Sequence, residues 1–374
     1  MRKRVISWLL TVVMVVSMLP TSVLADTLAA DQEQQTQQEQ TAPADTDSNV
    51  PTEDEETQEQ QEPAAETPAS QMARSGGAAP MLAAAGAVQN IGTAEAFAEM
   101  DASGSYTLTK DIIVTEPYAS DFSGTFDGNG HTVTLNITAS TANVGLFSKL
   151  AGGAVVKNVI TAGSISGKVN NVGGIAGVAD TELGAITISN CKNEAAIKGN
   201  KVVGGILGGC TEDDYALTIS ACANEGNISG TRNIGGICGT LENAHFIKNC
   251  YNASAVTGST IGGILGRGAR GPSSTTDTPI LENCYNVGNI VYSNTNGSAI
   301  VGTGYAKKPV KVKNCYALKG SASLLVPADN VTVDSASSFK TETEMKSPAF
   351  AATLGSAFQY NGGGYPTLKD PEPV

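Results

Sequence analysis

The sequence predicts an all-β fold: a right-handed parallel β-helix (β-solenoid) of about six coils with short helical caps at both ends. Three observations lead there. The chain beyond residue 88 is rich in Gly, Asn, Ser, Thr, Val and Ile, and aromatic residues make up only 5% of the whole, a mixture that suits short strands separated by tight turns. A three-part motif recurs six times at a spacing near 30 residues. Finally, the few aromatic residues and the helix-start patterns gather at the two ends of the repeat array, where an open stack needs covering.

The first element is a leader. Met1-Arg2-Lys3-Arg4 is basic, Val5 to Leu19 is an almost uninterrupted apolar run, and Val23 and Ala25 sit where a signal peptidase reads. Residues 1–25 are therefore expected to be a cleaved secretory signal peptide, leaving no stable membrane span and placing the protein outside the cell or on its surface. Residues 26–88 read as a disordered spacer. From 26 to 75 there are thirteen acidic residues and one basic one, Arg74, so this stretch carries −12 of the formal −13. So polar a segment cannot offset the entropy of ordering it. With +3 in the leader, residues 76–374 carry −4, and no basic stripe suggests a nucleic-acid partner.

Residues 89–140 are expected to form an N-terminal cap with lead-in strands: a short helix over 93–100 and an alternating strand from Tyr106 to Val114. The repeats occupy 141–320. Gly-Gly pairs stand at 173, 204, 235 and 262, within GGIAG, GGILG, GGICG and GGILG. A second landmark keeps the same beat, with Asn190-Cys191-Lys192-Asn193, Ala221-Cys222-Ala223-Asn224, Asn249-Cys250-Tyr251-Asn252, Asn283-Cys284-Tyr285-Asn286 and Asn314-Cys315-Tyr316. A third follows it, as in Gly226-Asn227-Ile228-Ser229-Gly230. Each part is short, centred on a β-branched residue and edged by Gly or Asn, so each reads as one strand ending at a corner, three to a coil. Like positions then superpose at ~4.8 Å. The Gly-Gly pairs imply either positive φ or close backbone approach at one corner.

Taken together, V/I-G-G-I-x-G, I-x-N-C-Y-N and G-N-I-x-G resemble the GLUG-motif repeats of bacterial secreted and cell-surface proteins. Phe122-Ser123-Gly124-Thr125-Phe126-Asp127-Gly128-Asn129-Gly130-His131-Thr132 is similar to the approach segment of such proteins. The likeness covers about 90–368. It implies the fold and an exported setting, and is unspecific for activity. Some immunoglobulin-A-cleaving metallopeptidases carry these repeats beside a catalytic domain, but no H-E-x-x-H occurs in this chain.

Residues 321–368 are expected to close the other end. Thr341-Glu342-Thr343-Glu344 is a capping-box pattern, and Ser347-Pro348 opens a second short helix that ends at Gly355. Phe350, Leu354, Phe358, Tyr360 and Tyr365 supply a cap core. Residues 369–374 read as a tail.

Chemistry is sparse. Five of the seven cysteines occupy one slot in successive coils, which predicts an interior ladder of reduced thiols acting as small hydrophobes, with disulfide pairing as the alternative. No C-x-x-C or paired His motif suggests a metal, and no cofactor is expected. His131 is assigned a structural hydrogen bond. Glu212-Asp213-Asp214 is the one acidic cluster, in a loop after Cys210, with Asp213 and Asp214 as candidate ligand or Ca²⁺ contacts. Arg267 and Arg270 lie in an insertion spanning 267–279. Tyr251, Tyr285 and Tyr316 follow the ladder cysteines and form either an exposed aromatic strip suited to sugar or protein, or corner packing. The functional expectation is a secreted or surface binding and adhesion module for glycan or protein. A β-helix polysaccharide lyase or glycoside hydrolase is the alternative.

Overall fold

The computed structural model describes residues 87–211, 215–242, 245–268, 278–292, 297–305 and 309–370. The leader, nearly all of the spacer, Glu212, Asp213, Asp214 and Arg270 lie outside them. Within them the chain is a parallel β-solenoid. One coil runs through Lys201–Gly204, Leu207–Cys210, Leu217–Ser220, Ala223–Asn224 and Ile228–Ser229. Each strand pairs in register with its counterpart one coil before and one after: Val203 with Val172 and Ile234, Ile219 with Ile188 and Ile247, Ile228 with Ile197 and Val256.

A full coil therefore has five short strands where three were expected. The Gly-Gly string bends at its second glycine and so supplies two strands. The Leu217–Ser220 segment ahead of the cysteine supplies another, because its alternating Leu217 and Ile219 are buried. Parallel pairing also extends beyond the repeats. The ten-stranded sheet starts at Gln89–Ile91 and ends at Val331–Val333, a ladder of ~43 Å at the usual strand spacing. No described helix is long and apolar enough to cross a membrane.

The corners resolve the question of the glycines. Left-handed backbone is supplied by asparagine, at Asn158, Asn190, Asn249, Asn283 and Asn314, each with φ between 49° and 56°, a conformation Asn tolerates better than most residues. The Gly-Gly pairs do not hold positive φ; they are there for close approach. A Cβ on Gly205 would overlap the Gly236 carbonyl oxygen and lie 2.5 Å from Asn224 Cγ, and one on Gly174 would lie 2.5 Å from Asn193 Oδ1.

That second contact links two motifs far apart in the chain. The last Asn of each N-C-x-N string points inward, fully buried, against the second glycine of its own coil. Asn193 Nδ2 donates to Asn224 Oδ1, Asn224 Nδ2 to Asn252 Oδ1, and Asn252 Nδ2 to Asn286 Oδ1, each at 2.7 Å. The other amide hydrogen of each goes to the carbonyl two residues on, as from Asn224 to Gly226 at 2.9 Å. Thr161 Oγ1 donates to Asn193 Oδ1 at 3.0 Å at the N-terminal end of the row. A buried polar row is stable only when so completely satisfied.

The cysteines superpose as expected. All seven are free and buried. In the ladder each thiol donates to the carbonyl two residues before it, at 3.1 to 3.3 Å, from Cys191 to Ser189 through Cys315 to Lys313. Burial pushes the Cys191, Cys250 and Cys315 thiols well up, and Cys238 up to about 12. Because all seven are shut away from the reagent inside the coils, the native protein should resist an aromatic disulfide reagent for as long as it stays folded and yield seven thiols in denaturant. Rapid labelling of Cys222 or Cys250 under native conditions would contradict the packed ladder.

Both ends are covered. At the start, Phe97 on the helix Ala94–Ala98 meets Tyr118, Phe126 and Phe147 edge-on at 5.7 to 5.9 Å. The segment expected as one strand from Tyr106 to Val114 is two, Ser105–Leu108 and Ile112–Val114. At the other end, Thr341 caps the helix Glu342–Met345 in a complete capping box with Glu344, and Ser347 caps Pro348–Leu354 with Pro at its first turn. His131 makes the structural contact expected of it, Nδ1 lying 3.3 Å from Asp111 Oδ1.

Candidate functional site

Tyr251, Tyr285 and Tyr316 fall in register on successive coils. The Tyr251 and Tyr285 rings stack at 5.0 Å with 5° between their planes. The strip is real but it is not exposed: the three residues are 6%, 1% and 3% accessible. The C-terminal segment lies along this row. Phe350 packs edge-on against Tyr285 and Tyr316 at 6.0 and 5.2 Å, Phe358 lies 5.7 Å from Tyr285, and the Tyr285 hydroxyl donates to the Pro366 carbonyl. The exposed-strip reading is thereby corrected to packing. The cap carries apolar surface that the narrow end of a coil cannot bury, and the tyrosine row offers it a long partner.

The row runs on beyond the tyrosines. In the coil before Tyr251 the same register position is Ala223, and before that Lys192 and Ile160. A groove of about 810 Å³ opens there, floored by Ile160, Ala221 and Ala223 and walled on the cap side by Gln359, Leu368 and Lys369. Two of its charged groups, Lys192 and Glu225, share a network with Glu194 and Tyr251. Lys192 Nζ lies 2.6 Å from Glu194 Oε1 and 3.8 Å from Glu225 Oε2, and the Tyr251 hydroxyl donates to Glu225 Oε1 at 2.6 Å. Burial works against the Lys192 ammonium, but the two glutamates outweigh it and raise its pKa. The Tyr251 phenol is pushed far up, first by burial and then by Glu225.

Asp127 also lines the groove. Burial opposes its charge, yet Asn158 Nδ2 at 2.9 Å, the Asn129 N–H at 2.8 Å and Lys157 Nζ at 3.2 Å together hold it below the usual carboxylate range. Asp127 and Glu225 are thus engaged in structural bonds and are not free carboxyls of the kind a proton transfer at a substrate needs.

Arg267 sits elsewhere. It is in the Leu265–Gly268 strand, paired with Thr240 and Thr303, in the seven-stranded sheet, whereas the tyrosines belong to the thirteen-stranded one. The structure does not bring it to the groove. Asp213, Asp214 and Arg270 lie outside the described residues. Among the described residues, no three His, Cys, Asp or Glu side chains gather to hold a metal ion. The residues that sequence reasoning passed over are Ala221 and Ala223. Their signal was present as Ala-Cys-Ala-Asn where the next two coils read Asn-Cys-Tyr-Asn and the one before reads Asn-Cys-Lys-Asn, but its meaning needed the stacking.

No family model matches the chain, and no curated protein matches it. Among solved structures the chain is similar to a Bacteroides ovatus protein described as a "putative immunoglobulin A1 protease", with a TM-score of 0.56 and 20% identity, covering 75% of this chain and 91% of that one. At that identity the likeness is one of fold.

Proposed function

We propose that this protein is a secreted or cell-surface binding module, a GLUG-type repeat protein that presents the side of a rigid β-solenoid to a glycan or protein surface without catalysing a reaction. The observation that carries this reading is the groove: it is open, it lies on the side of a regular stack, and Asp127, Glu225 and Lys192 within it are tied into structural bonds. The basic, apolar leader and the acidic spacer of the sequence support an exported setting in which the module stands away from an envelope. The repeat resemblance points the same way.

The test uses the mature chain on immobilised mucin, neutral and acidic polysaccharides and immunoglobulin A1, with and without Ca²⁺. Immunoglobulin is included because of the description borne by the solved neighbour. Retention on one of these surfaces, with no new reducing ends, no unsaturated uronides and an intact immunoglobulin heavy chain, is the expected result. Turnover of any substrate by the purified chain would replace this reading with an enzymatic one.

A further inference from the structure

We infer that the groove beside Ala221 and Ala223 is a subsite for a short neutral oligosaccharide, a deepening that rests on the binding-module reading above. The argument starts from an interruption. In the corner slot ahead of the ladder cysteine, Asn314 Nδ2 donates to Asn283 Oδ1 at 2.7 Å and Asn283 Nδ2 to Asn249 Oδ1 at 3.1 Å. Asn158 Nδ2 also reaches the preceding coil, donating to Asp127 one position off that slot. Ala221 breaks this outer row while keeping its left-handed backbone, φ 49°. Alanine gains no side-chain hydrogen bond there to offset a conformation that disfavours a Cβ. Two positions on, Ala223 stands where the following coils carry Tyr251, Tyr285 and Tyr316. One coil has thus lost both of its outward side chains on either side of Cys222, and the groove lies over that coil. A coil at odds with its neighbours, at a cost to local stability, is where a site is to be sought.

The chemistry of the walls selects the ligand. The break leaves the exposed Asn190 without the inter-coil donor that Asn283 and Asn314 supply to their predecessors. Amides of Asn129 and Gln359 add donors and acceptors. Charges of both signs line the groove, Asp127, Glu225 and Asp370 against Lys192 and Lys369, so an ionised ligand of either sign meets a like charge. A neutral, hydroxyl-rich molecule meets donors and acceptors throughout. The volume of about 810 Å³ is several times a single sugar ring and within the range of ligand pockets.

Refilling the gap provides the test. Calorimetry with malto-, cello-, manno- and galacto-configured tetrasaccharides, and a uronic-acid tetrasaccharide as the charged control, is run on the full chain, on Ala223→Tyr and on Ala221→Asn. The full chain is expected to bind at least one neutral tetrasaccharide, and each variant to bind it at least about ten-fold more weakly, with an unchanged or raised melting temperature because each restores the repeat. Should Ala223→Tyr melt lower by disturbing the cap, Ala221→Asn decides, since its backbone already suits Asn. Undiminished binding by the folded variants would overturn this subsite and leave the binding-module reading intact. Binding of the charged sugar alone, or of no tetrasaccharide, would overturn it as well, and surface retention of the full chain then reports separately on the broader reading.

Discussion

Gly236→Ala is expected to destabilise the fold by about 3–5 kcal/mol, at the severe end for a single methyl group. The added Cβ would overlap the Gly263 carbonyl oxygen and lie 2.5 Å from Asn252 Cγ. Neither neighbour can give way cheaply. The carbonyl belongs to the next coil, and Asn252 is held between Asn224 and Asn286 by bonds of 2.7 Å. Asn252→Ala should cost a similar amount by a different route, leaving one amide hydrogen of Asn224 without its acceptor and Asn286 Oδ1 without its inter-coil donor in the interior. The two changes touch the same contact, so the double variant should lose less than the sum. Urea denaturation of the four proteins measures the cycle. A loss under about 1 kcal/mol for Gly236→Ala would mean that the coils have room the geometry denies them.

The second large effect is a pH dependence carried by His245. This side chain is fully buried, and its Nδ1 accepts the Leu217 N–H at 3.1 Å. One coil earlier the equivalent N–H, that of Ile186, goes to a main-chain carbonyl, that of Ala216. The coil around His245 spans only 27 residues between Gly-Gly pairs, against 31 in the two before it, and here the imidazole is the acceptor. Burial lowers the His245 pKa from 6.5 to about 4, only partly countered by the Thr211 backbone. The folded state therefore keeps His245 neutral where the unfolded chain takes up a proton. Stability on its account is complete above pH 6.5 and is lost as the pH falls toward 4, by about 3 kcal/mol in all. His245→Gln, which cannot titrate, should flatten that part of the profile. Equal slopes for the two proteins between pH 6.5 and 4 would show that the ring is not held neutral.

Much of the architecture was readable from the row of letters, and the misses share one physical cause. Period and register were legible because stacking repeats the same requirement in every coil: Cys191, Cys222 and Cys250 recur since one interior slot admits a small apolar group. The cap helices were legible from Thr341, Glu344, Ser347 and Pro348, whose effects are local. Wherever the outcome depended on a partner distant in the chain, the pattern alone was ambiguous. Alternation puts Tyr251, Tyr285 and Tyr316 outside the coil but does not say that Phe350 and Phe358 cover Tyr285 and Tyr316. Likewise the glycine pairs announce a close approach without naming what approaches. The buried Asn row answers that, and only once Gly205 and Asn224 are brought together across 19 positions of chain.

The docking of the C-terminal segment on Tyr285 and Tyr316 also determines how such a rod can change its length. A parallel stack tolerates the gain or loss of whole coils, because each coil contacts only its neighbours. Here the closing segment recognises a particular pair of coils through Tyr285 and Tyr316, with Tyr251 stacked on Tyr285 behind them. Duplication of a coil ahead of Lys192 would lengthen the rod and leave that seat untouched, whereas duplication among the tyrosine coils would put the segment out of step with its row. Growth is thus permitted at one end only, and the Ala221–Ala223 coil marks where the freely variable part of the rod stops.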